Sequence, residues 1–163
     1  MKIAIISDTH DNLPNLEKAL SYMNKNGVAA IVHCGDACSI STLNFLESHF
    51  KGKVYFSLGN CDEGYNIASA KFKNIEIFQN FGELDLEGLK IAFAHFPTMA
   101  KTLFGSGSYD FVFHGHTHMP WISGTKGKFI ANPGNLAGIN YAATFAILDT
   151  ITKKLELKIL DKL

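Results

Sequence analysis

Seven side chains of metal-binding type lie just after apolar segments of this 163-residue sequence. They are two aspartates, one asparagine and four histidines, namely Asp8, His10, Asp36, Asn60, His95, His116 and His118. A single Asp or His in such a position is more often a cap or a turn residue. Because five separate apolar segments are each followed by a ligand type, a metal site is the favoured interpretation.

The ligand types indicate which metals could bind and how many. Mixed carboxylate, imidazole and amide donors suit Mn²⁺, Fe²⁺, Ni²⁺, Co²⁺ or Zn²⁺, whereas Ca²⁺ and Mg²⁺ favour oxygen shells. Seven ligands exceed one tetrahedral site, and one bridging carboxylate would divide them into two sites of about four ligands each. Two dications and two aspartates leave a net charge of about +2, which favours an anionic substrate.

The spacing of these residues along the chain also favours a metal site. The sequences Asp-Thr-His at 8–10 and His-Thr-His at 116–118 each place two ligands two positions apart. In extended backbone such partners point to the same side, so we expect each pair to address one site. Gly35, Gly59 and Gly115 precede ligands, which predicts sharp turns or close backbone contacts that leave no room for a Cβ.

The elements that position these residues follow from hydrophobic patterning. The first part of the chain alternates between two patterns, with strands expected at 2–7, 29–33 and 54–58 and helices at 14–26 and 41–49. Strands separated by helices predict parallel βαβ crossovers.

After about residue 75, short strand-like runs follow one another through Gly and Asn turns. They lie at 75–78, 83–86, 90–94, 111–113, 121–123, 128–131, 143–148 and 155–159. We therefore predict a mostly antiparallel second half and an α/β fold of two packed sheets with helices outside. The chain is expected to form a single domain over residues 1–163, with the site at the carboxyl ends of the first strands.

Composition excludes several functional classes. Fifteen basic residues balance fifteen acidic ones, so a duplex nucleic acid is an unlikely partner. The apolar run at 3–6 is too short to cross a membrane, and we expect a cytoplasmic protein with no membrane partner. The three cysteines, Cys34, Cys38 and Cys61, are too few for a disulfide framework or a structural zinc site.

At the ligand residues the sequence resembles the calcineurin-like metallophosphoesterase superfamily. The signature of that family reads D-x-H, G-D, G-N-H-[DE], a later His, and G-H-x-H. Its counterparts here are Asp8-Thr9-His10, Gly35-Asp36, Gly59-Asn60-Cys61-Asp62, His95 and Gly115-His116-Thr117-His118. The match covers about residues 1–120, and the opening at 7–12 is most similar to the small bacterial and archaeal phosphodiesterase branch.

This resemblance implies a role for each ligand. One metal would be held by Asp8, His10 and His118, the other by Asn60, His95 and His116, with Asp36 bridging both. Mn²⁺ is the first candidate for the two ions. Hydroxide activated by the metal pair would attack phosphorus in line, which places Asp36, Asn60, Cys61 and His95 in the catalytic set.

One position departs from the family pattern. Cys61 stands where the family has a histidine that protonates the leaving group or binds phosphate. A neutral thiol is a weaker proton donor than an imidazolium, so a phosphodiester of a small molecule is favoured over a monoester. Phosphomonoesterase activity remains the alternative within the same fold.

Other polar residues have two interpretations each. Asn12 and Asn132, together with Asn60, could contact substrate, but the first two fit equally well as turn residues. His33 and His114 are expected to be packed side chains rather than ligands.

Two other functional classes are weaker alternatives. A non-catalytic interaction scaffold of the same fold is disfavoured because this chain keeps every expected histidine. A nuclease for long polymers is disfavoured by the neutral net charge. Whether the protein forms a homo-oligomer stays open.

Overall fold

The computed structural model describes residues 1–62, 66–86 and 88–163. Within these ranges strands and helices alternate first and strands dominate later. In chain order the elements are β1 (Lys2–Ile6), α1 (Leu13–Lys25), β2 (Ala30–His33), α2 (Ile40–His49), β3 (Lys53–Ser57), β4 (Ile75–Phe78), β5 (Phe81–Leu86), β6 (Leu89–Ala94), α3 (Pro97–Gly105), β7 (Phe111–Phe113), β8 (Trp121–Thr125), β9 (Lys128–Asn132), β10 (Thr144–Asp149) and β11 (Lys154–Ile159).

The strands form two sheets. One has six strands in the order β11-β10-β1-β2-β3-β4, and the other has five in the order β5-β6-β7-β9-β8. Pairing is parallel from β1 through β2 and β3 to β4, as the predicted crossovers require. Helices α1 and α2 begin at recognisable caps, since the side chains of Asn12 and Ser39 each accept a backbone N–H in the first turn.

Alternation along β1 shows how the layers pack. Ile3 and Ile5 belong to the core between the sheets, together with Phe93 of β6. Ala4 and Ile6 face the other way, into the core formed with α1 and α2. On the far side, α3 packs against the outer face of the five-stranded sheet. The predicted two-sheet α/β sandwich with outer helices is confirmed.

The prediction for the second half was incomplete in two respects. Helix α3 was not predicted, and the pairs β6–β7 and β7–β9 are parallel. Pro97 opens this helix, but no side chain caps it, and its buried residues are only Ala100 and Leu103. A nine-residue helix with so short an apolar stripe gives too weak a periodic signal to separate it from a loop.

This topology brings several strand ends to one edge. Candidate ligand residues follow β1, β2 and β3 in one sheet and β6 and β7 in the other. Because parallel neighbours end at the same edge, their following loops meet there. None of the helices in the described ranges is long and apolar enough to cross a membrane.

Candidate metal centre

The first donor cluster consists of Asp8, His10 and His118. The Nε2 atoms of His10 and His118 lie 3.2 Å apart. The Oδ1 atom of Asp8 lies 3.4 Å from Nε2 of His118 and 3.9 Å from Nε2 of His10. The three side chains therefore direct one donor atom each at a common point.

The second cluster consists of Asn60, His95 and His116. The Oδ1 atom of Asn60 lies 2.9 Å from Nε2 of His95 and 3.0 Å from Nδ1 of His116. These two ring nitrogens are 3.2 Å apart. Donors bound to one ion at about 2.1 Å are separated by roughly 3.0 to 3.4 Å, so the second cluster has this spacing and the first is wider only between Asp8 and His10, at 3.9 Å.

Asp36 lies between the two clusters. Its Oδ2 atom is 3.7 Å from Nε2 of His10 and 3.5 Å from Nε2 of His95. The structure thus brings all seven predicted ligands together, with one carboxylate placed to be shared.

The electrostatics of the centre favour a bound cation. Asp8, Asp36 and His95 are each at most 2% exposed. Burial, with a smaller contribution from the charge of Asp36, raises the pKa of Asp8 to about 7. Burial also lowers the pKa values of His95 and His118, although the nearby Asp36 opposes this. A metal ion binds imidazole in its neutral form and carboxylate in its charged form. The lowered histidine pKa values therefore favour metal binding.

The backbone of the ligand residues corrects one expectation. Asp8, His10, His116 and His118 have φ values of 53°, 44°, 69° and 60°, and Asp36 has 60°. These residues adopt left-handed conformations instead of the extended backbone that we assumed for the pairs at 8 and 10 and at 116 and 118. His116 and His118 belong to different clusters, whereas Asp8 and His10, with the same left-handed backbone, share one. Such strained conformations concentrate at functional sites.

Close packing explains the glycines that precede ligands. A Cβ on Gly115 would lie 2.6 Å from Oδ2 of Asp8, and one on Gly59 would lie 2.7 Å from the backbone nitrogen of Asp36. Gly35 combines a φ of 96° with an equally close approach to the ring of His95. The predicted lack of room for a Cβ is confirmed.

Hydrogen bonds fix the ring that lies deepest in the centre. Nδ1–H of His95 donates to the backbone carbonyl of Cys34 at 2.8 Å. Since a carbonyl only accepts, Nε2 of His95 is left unprotonated toward the centre. The backbone N–H of His116 donates to the carboxylate of Asp8 at 3.1 Å, which ties the two clusters to each other.

Sequence reasoning missed Asp62 as a positioning residue. Its carboxylate accepts backbone N–H groups from Asp36 at 2.8 Å, Cys38 at 2.9 Å and Gly59 at 2.7 Å. In return, the N–H of Cys61 donates to Oδ1 of Asp36 at 2.8 Å. Asp62 therefore joins the loops after β2 and β3. The acidic fourth position of the G-N-C-D segment was the available signal.

Two of the three asparagines predicted as substrate contacts, Asn12 and Asn132, make hydrogen bonds within the fold instead. Asn12 accepts the N–H of Asn15 at 3.1 Å as the cap of α1 and donates to the carbonyl of Ala137 at 3.0 Å. Asn132 is 2% exposed, and its amide joins the loop after β7 to the turn at Gly134. These contacts favour the turn-residue interpretation over substrate binding.

His33 and His114 are buried, as expected of packed side chains. Nδ1 of His33 accepts the N–H of Gly35 at 3.2 Å, so its Nε2–H donates to Oγ1 of Thr9 at 2.9 Å. Burial lowers the pKa of His33 to about 3, which keeps the ring neutral. It supports the loops on both sides without entering either cluster.

Two side chains at the mouth of the centre were not assigned from sequence as site residues. The ring of Phe96 is 41% exposed and lies edge-on to His95 and His116, with centroids 5.0 Å apart in each case. Sγ of Cys38 lies 3.2 Å from Nδ1 of His10. Cys61, which was assigned from sequence, is half-buried and lies with its Sγ within 4.8 Å of the ligand atoms of Cys38 and His10.

Comparison with known proteins places this arrangement in a family. Residues 1–153 match the calcineurin-like phosphoesterase superfamily domain. A phosphodiesterase from Methanocaldococcus jannaschii is 32% identical over 160 residues, covering 94% of this chain and 96% of that protein.

Solved structures agree with this result. The structure of an archaeal phosphodiesterase superposes with a TM-score of 0.85 at 29% identity, covering 98% of this chain and 99% of that one. A phosphoesterase from E. coli shares the fold with a TM-score of 0.71 at 20% identity, covering 98% and 100%.

The chain belongs to the calcineurin-like phosphoesterase superfamily, and the prediction of a hydrolase is confirmed. Membership in this family implies divalent metal ions, for which the two clusters supply candidate ligands.

Proposed function

We propose that the protein is a phosphodiesterase that hydrolyses small phosphodiesters with two divalent metal ions. The observation that carries the proposal is the pair of donor clusters joined by Asp36, with Oδ2 at 3.7 and 3.5 Å from a nitrogen of each. The similarity to a phosphodiesterase over nearly the whole chain supports the type of reaction.

In this proposal Asp8, His10 and His118 hold one ion, and Asn60, His95 and His116 hold the other, with Asp36 shared. Metal ions bound there would activate a water for attack on phosphorus and offset charge on the phosphoryl oxygens. The mixed nitrogen and oxygen donors favour Mn²⁺, with Ni²⁺, Co²⁺, Fe²⁺ and Zn²⁺ as alternatives.

The chain's own residues supply the positioning. The hydrogen bond from Nδ1 of His95 to the Cys34 carbonyl orients the ring so that Nε2 faces the centre. Asp62 positions the loop that carries Asp36 by accepting the backbone N–H of Asp36. The exposed face of Phe96 borders the opening and offers an apolar contact to the organic part of a substrate.

Cys61 supports a diester over a monoester. Burial raises the pKa of this thiol, so it stays neutral near pH 7. A neutral thiol carries no net positive charge that could offset the second negative charge of a phosphomonoester. A phosphodiester carries a single negative charge and has less need of this compensation. The N–H of Cys61, bound to Asp36, fixes this position next to the shared carboxylate.

Metal reconstitution tests the proposal. Chelator-treated protein should lack activity on bis(p-nitrophenyl) phosphate, because the ions that would activate water have been removed. Mn²⁺ should restore this activity by binding to the imidazole and carboxylate donors. Asp36→Asn should remove at least about 99% of this activity, since it removes charge shared by both ions. Its circular dichroism spectrum should match the wild type. Full activity without metal, or an active Asp36→Asn variant in saturating Mn²⁺, would contradict the proposal.

Cys61→His tests the diester preference. If an imidazole at this position supplies a proton to the leaving oxygen, monoesterase activity should rise relative to diesterase activity. The gain is about 10² to 10⁴-fold where protonation limits the rate, and smaller for nitrophenyl esters. The measurement is kcat/KM for alkyl and aryl mono- and diesters at full metal occupancy. An unchanged ratio for all pairs would show that Cys61 does not set the preference.

A further inference from the structure

A third group of ligand atoms lies beside the proposed centre, on the other side of the His10 ring. Nδ1 of His10 and the Sγ atoms of Cys38 and Cys61 all lie within 4.8 Å of one another. Sγ of Cys38 is 3.2 Å from Nδ1 of His10. The opposite nitrogen, Nε2, faces Asp8, Asp36 and His118.

The proximity of the two thiols is fixed by the backbone. Asp62 accepts the N–H groups of both Asp36 and Cys38, and Asp36 accepts the N–H of Cys61. These three hydrogen bonds hold the loop after β2 next to the loop after β3. The backbones of Cys38 and Cys61 are therefore held close together, which places their sulfurs within reach of each other.

The donor types differ from those of the main centre. Two sulfurs and one imidazole nitrogen select soft cations such as Zn²⁺, Cd²⁺ and Cu⁺, whereas Mn²⁺ prefers oxygen and nitrogen. Zinc-type ions bind thiolate sulfur at about 2.3 Å and nitrogen at about 2.1 Å, so their ligands lie roughly 3.6 to 3.8 Å apart. All three side chains are half-buried, so an ion can reach them and a water can complete the shell.

We propose that His10, Cys38 and Cys61 form a separate site for one thiophilic cation that competes with the main centre for His10. An imidazole that binds metal through both nitrogens must lose both of its protons, which is unfavourable near pH 7. Binding at the thiol site and use of His10 in the main centre therefore oppose each other. By linkage, saturating Mn²⁺ must weaken the soft cation as much as the soft cation weakens Mn²⁺.

Cadmium titration of the full-length, metal-free protein tests this site without any activity assay. Binding should produce the ultraviolet charge-transfer band of a cadmium thiolate. Its affinity should fall at least about tenfold in Cys38→Ser and in Cys61→Ser, because each removes a ligand. Cys34→Ala is the matched control, since Cys34 is buried in the core between the sheets and should keep the band. Saturating Mn²⁺ should weaken the titration in the wild type.

Two results would overturn the inference. The first is a folded wild-type protein with no thiolate band. The second is a band that persists unchanged in Cys38→Ser or Cys61→Ser, or, if a serine variant fails to fold, in Cys38→Ala. Both readouts are independent of phosphodiester hydrolysis. A protein that binds cadmium through these thiols but lacks hydrolytic activity would support this site and contradict the proposed function.

Discussion

Asp8 shows how a proposed metal ligand affects the stability of the fold around it. It is fully buried, and its pKa is raised to about 7, first by burial and then by Asp36. The unfolded chain has an ordinary value of about 3.9. Because the folded pKa is the higher one, the contribution of Asp8 to stability is complete below pH 4 and is lost as pH rises through about 7. At pH 8 the metal-free protein holds a buried charge.

Asp8→Asn should therefore stabilise the metal-free protein at alkaline pH. The free energy of unfolding should rise on the order of a few kcal/mol at pH 8, and by much less at pH 5, where Asp8 is mostly protonated. Urea denaturation in chelator at both pH values measures this. Asp161→Asn, at an exposed position, should show no such difference. The same Asp8→Asn protein should lose its Mn²⁺-dependent activity. An equal change at the two pH values would argue against a buried charge at Asp8.

At the scale of elements, the loops after β2 and β3 behave as one unit. Gly59 packs so closely on Asp36 that a Cβ would lie 2.7 Å from its backbone nitrogen. A Cβ added to Gly105, at the end of α3, would meet no atom within 4 Å apart from its chain neighbours and the nearby backbone of its own helix. The two glycines therefore form a matched pair of test sites, one beside the shared carboxylate and one in open space.

Gly59→Ala should displace Asp36 and raise the Mn²⁺ concentration needed for activity by about 10 to 100-fold. Overpacking of this kind should also destabilise the protein by about 1 to 3 kcal/mol. Gly105→Ala should leave metal dependence unchanged and stabilise by up to about 1 kcal/mol, because alanine is the better helix former. Activity titrations with Mn²⁺ on both variants provide the comparison. Wild-type metal dependence in Gly59→Ala would show that the loop tolerates the added methyl group.

The elements also show what patterning can and cannot predict. The first three strands and two helices were predicted to within one residue at each end, because each apolar run there ends in a Gly or a polar loop. Helix α3 was missed because its apolar stripe is short and uncapped. The seven candidate ligands were found from their place after strands. Their division between clusters followed only from the family resemblance, because the spacing argument placed His116 and His118 at one site and did not anticipate their left-handed backbone.

At the scale of the whole molecule, the centre lies where the two sheets meet. Asp8, Asp36 and Asn60 follow strands of the six-stranded sheet, while His95 and His116 follow strands of the five-stranded sheet. Each donor cluster draws on both sheets, so a bound ion would join them. Metal binding should therefore be coupled to the stability of the whole fold and not only to the loops.

Mn²⁺ should accordingly raise the free energy of unfolding of the intact protein. An ion that binds only the folded state stabilises it by about 2.7 kcal/mol at a free concentration of 100 times its Kd, and two such ions contribute separately. Urea denaturation at several Mn²⁺ concentrations should show a logarithmic increase in this free energy. Asp36→Asn should show a much smaller increase, because both ions lose a shared ligand, while Asp161→Asn should match the wild type. Metal-independent stability in a protein with Mn²⁺-dependent activity would mean that the ions bind without joining the sheets.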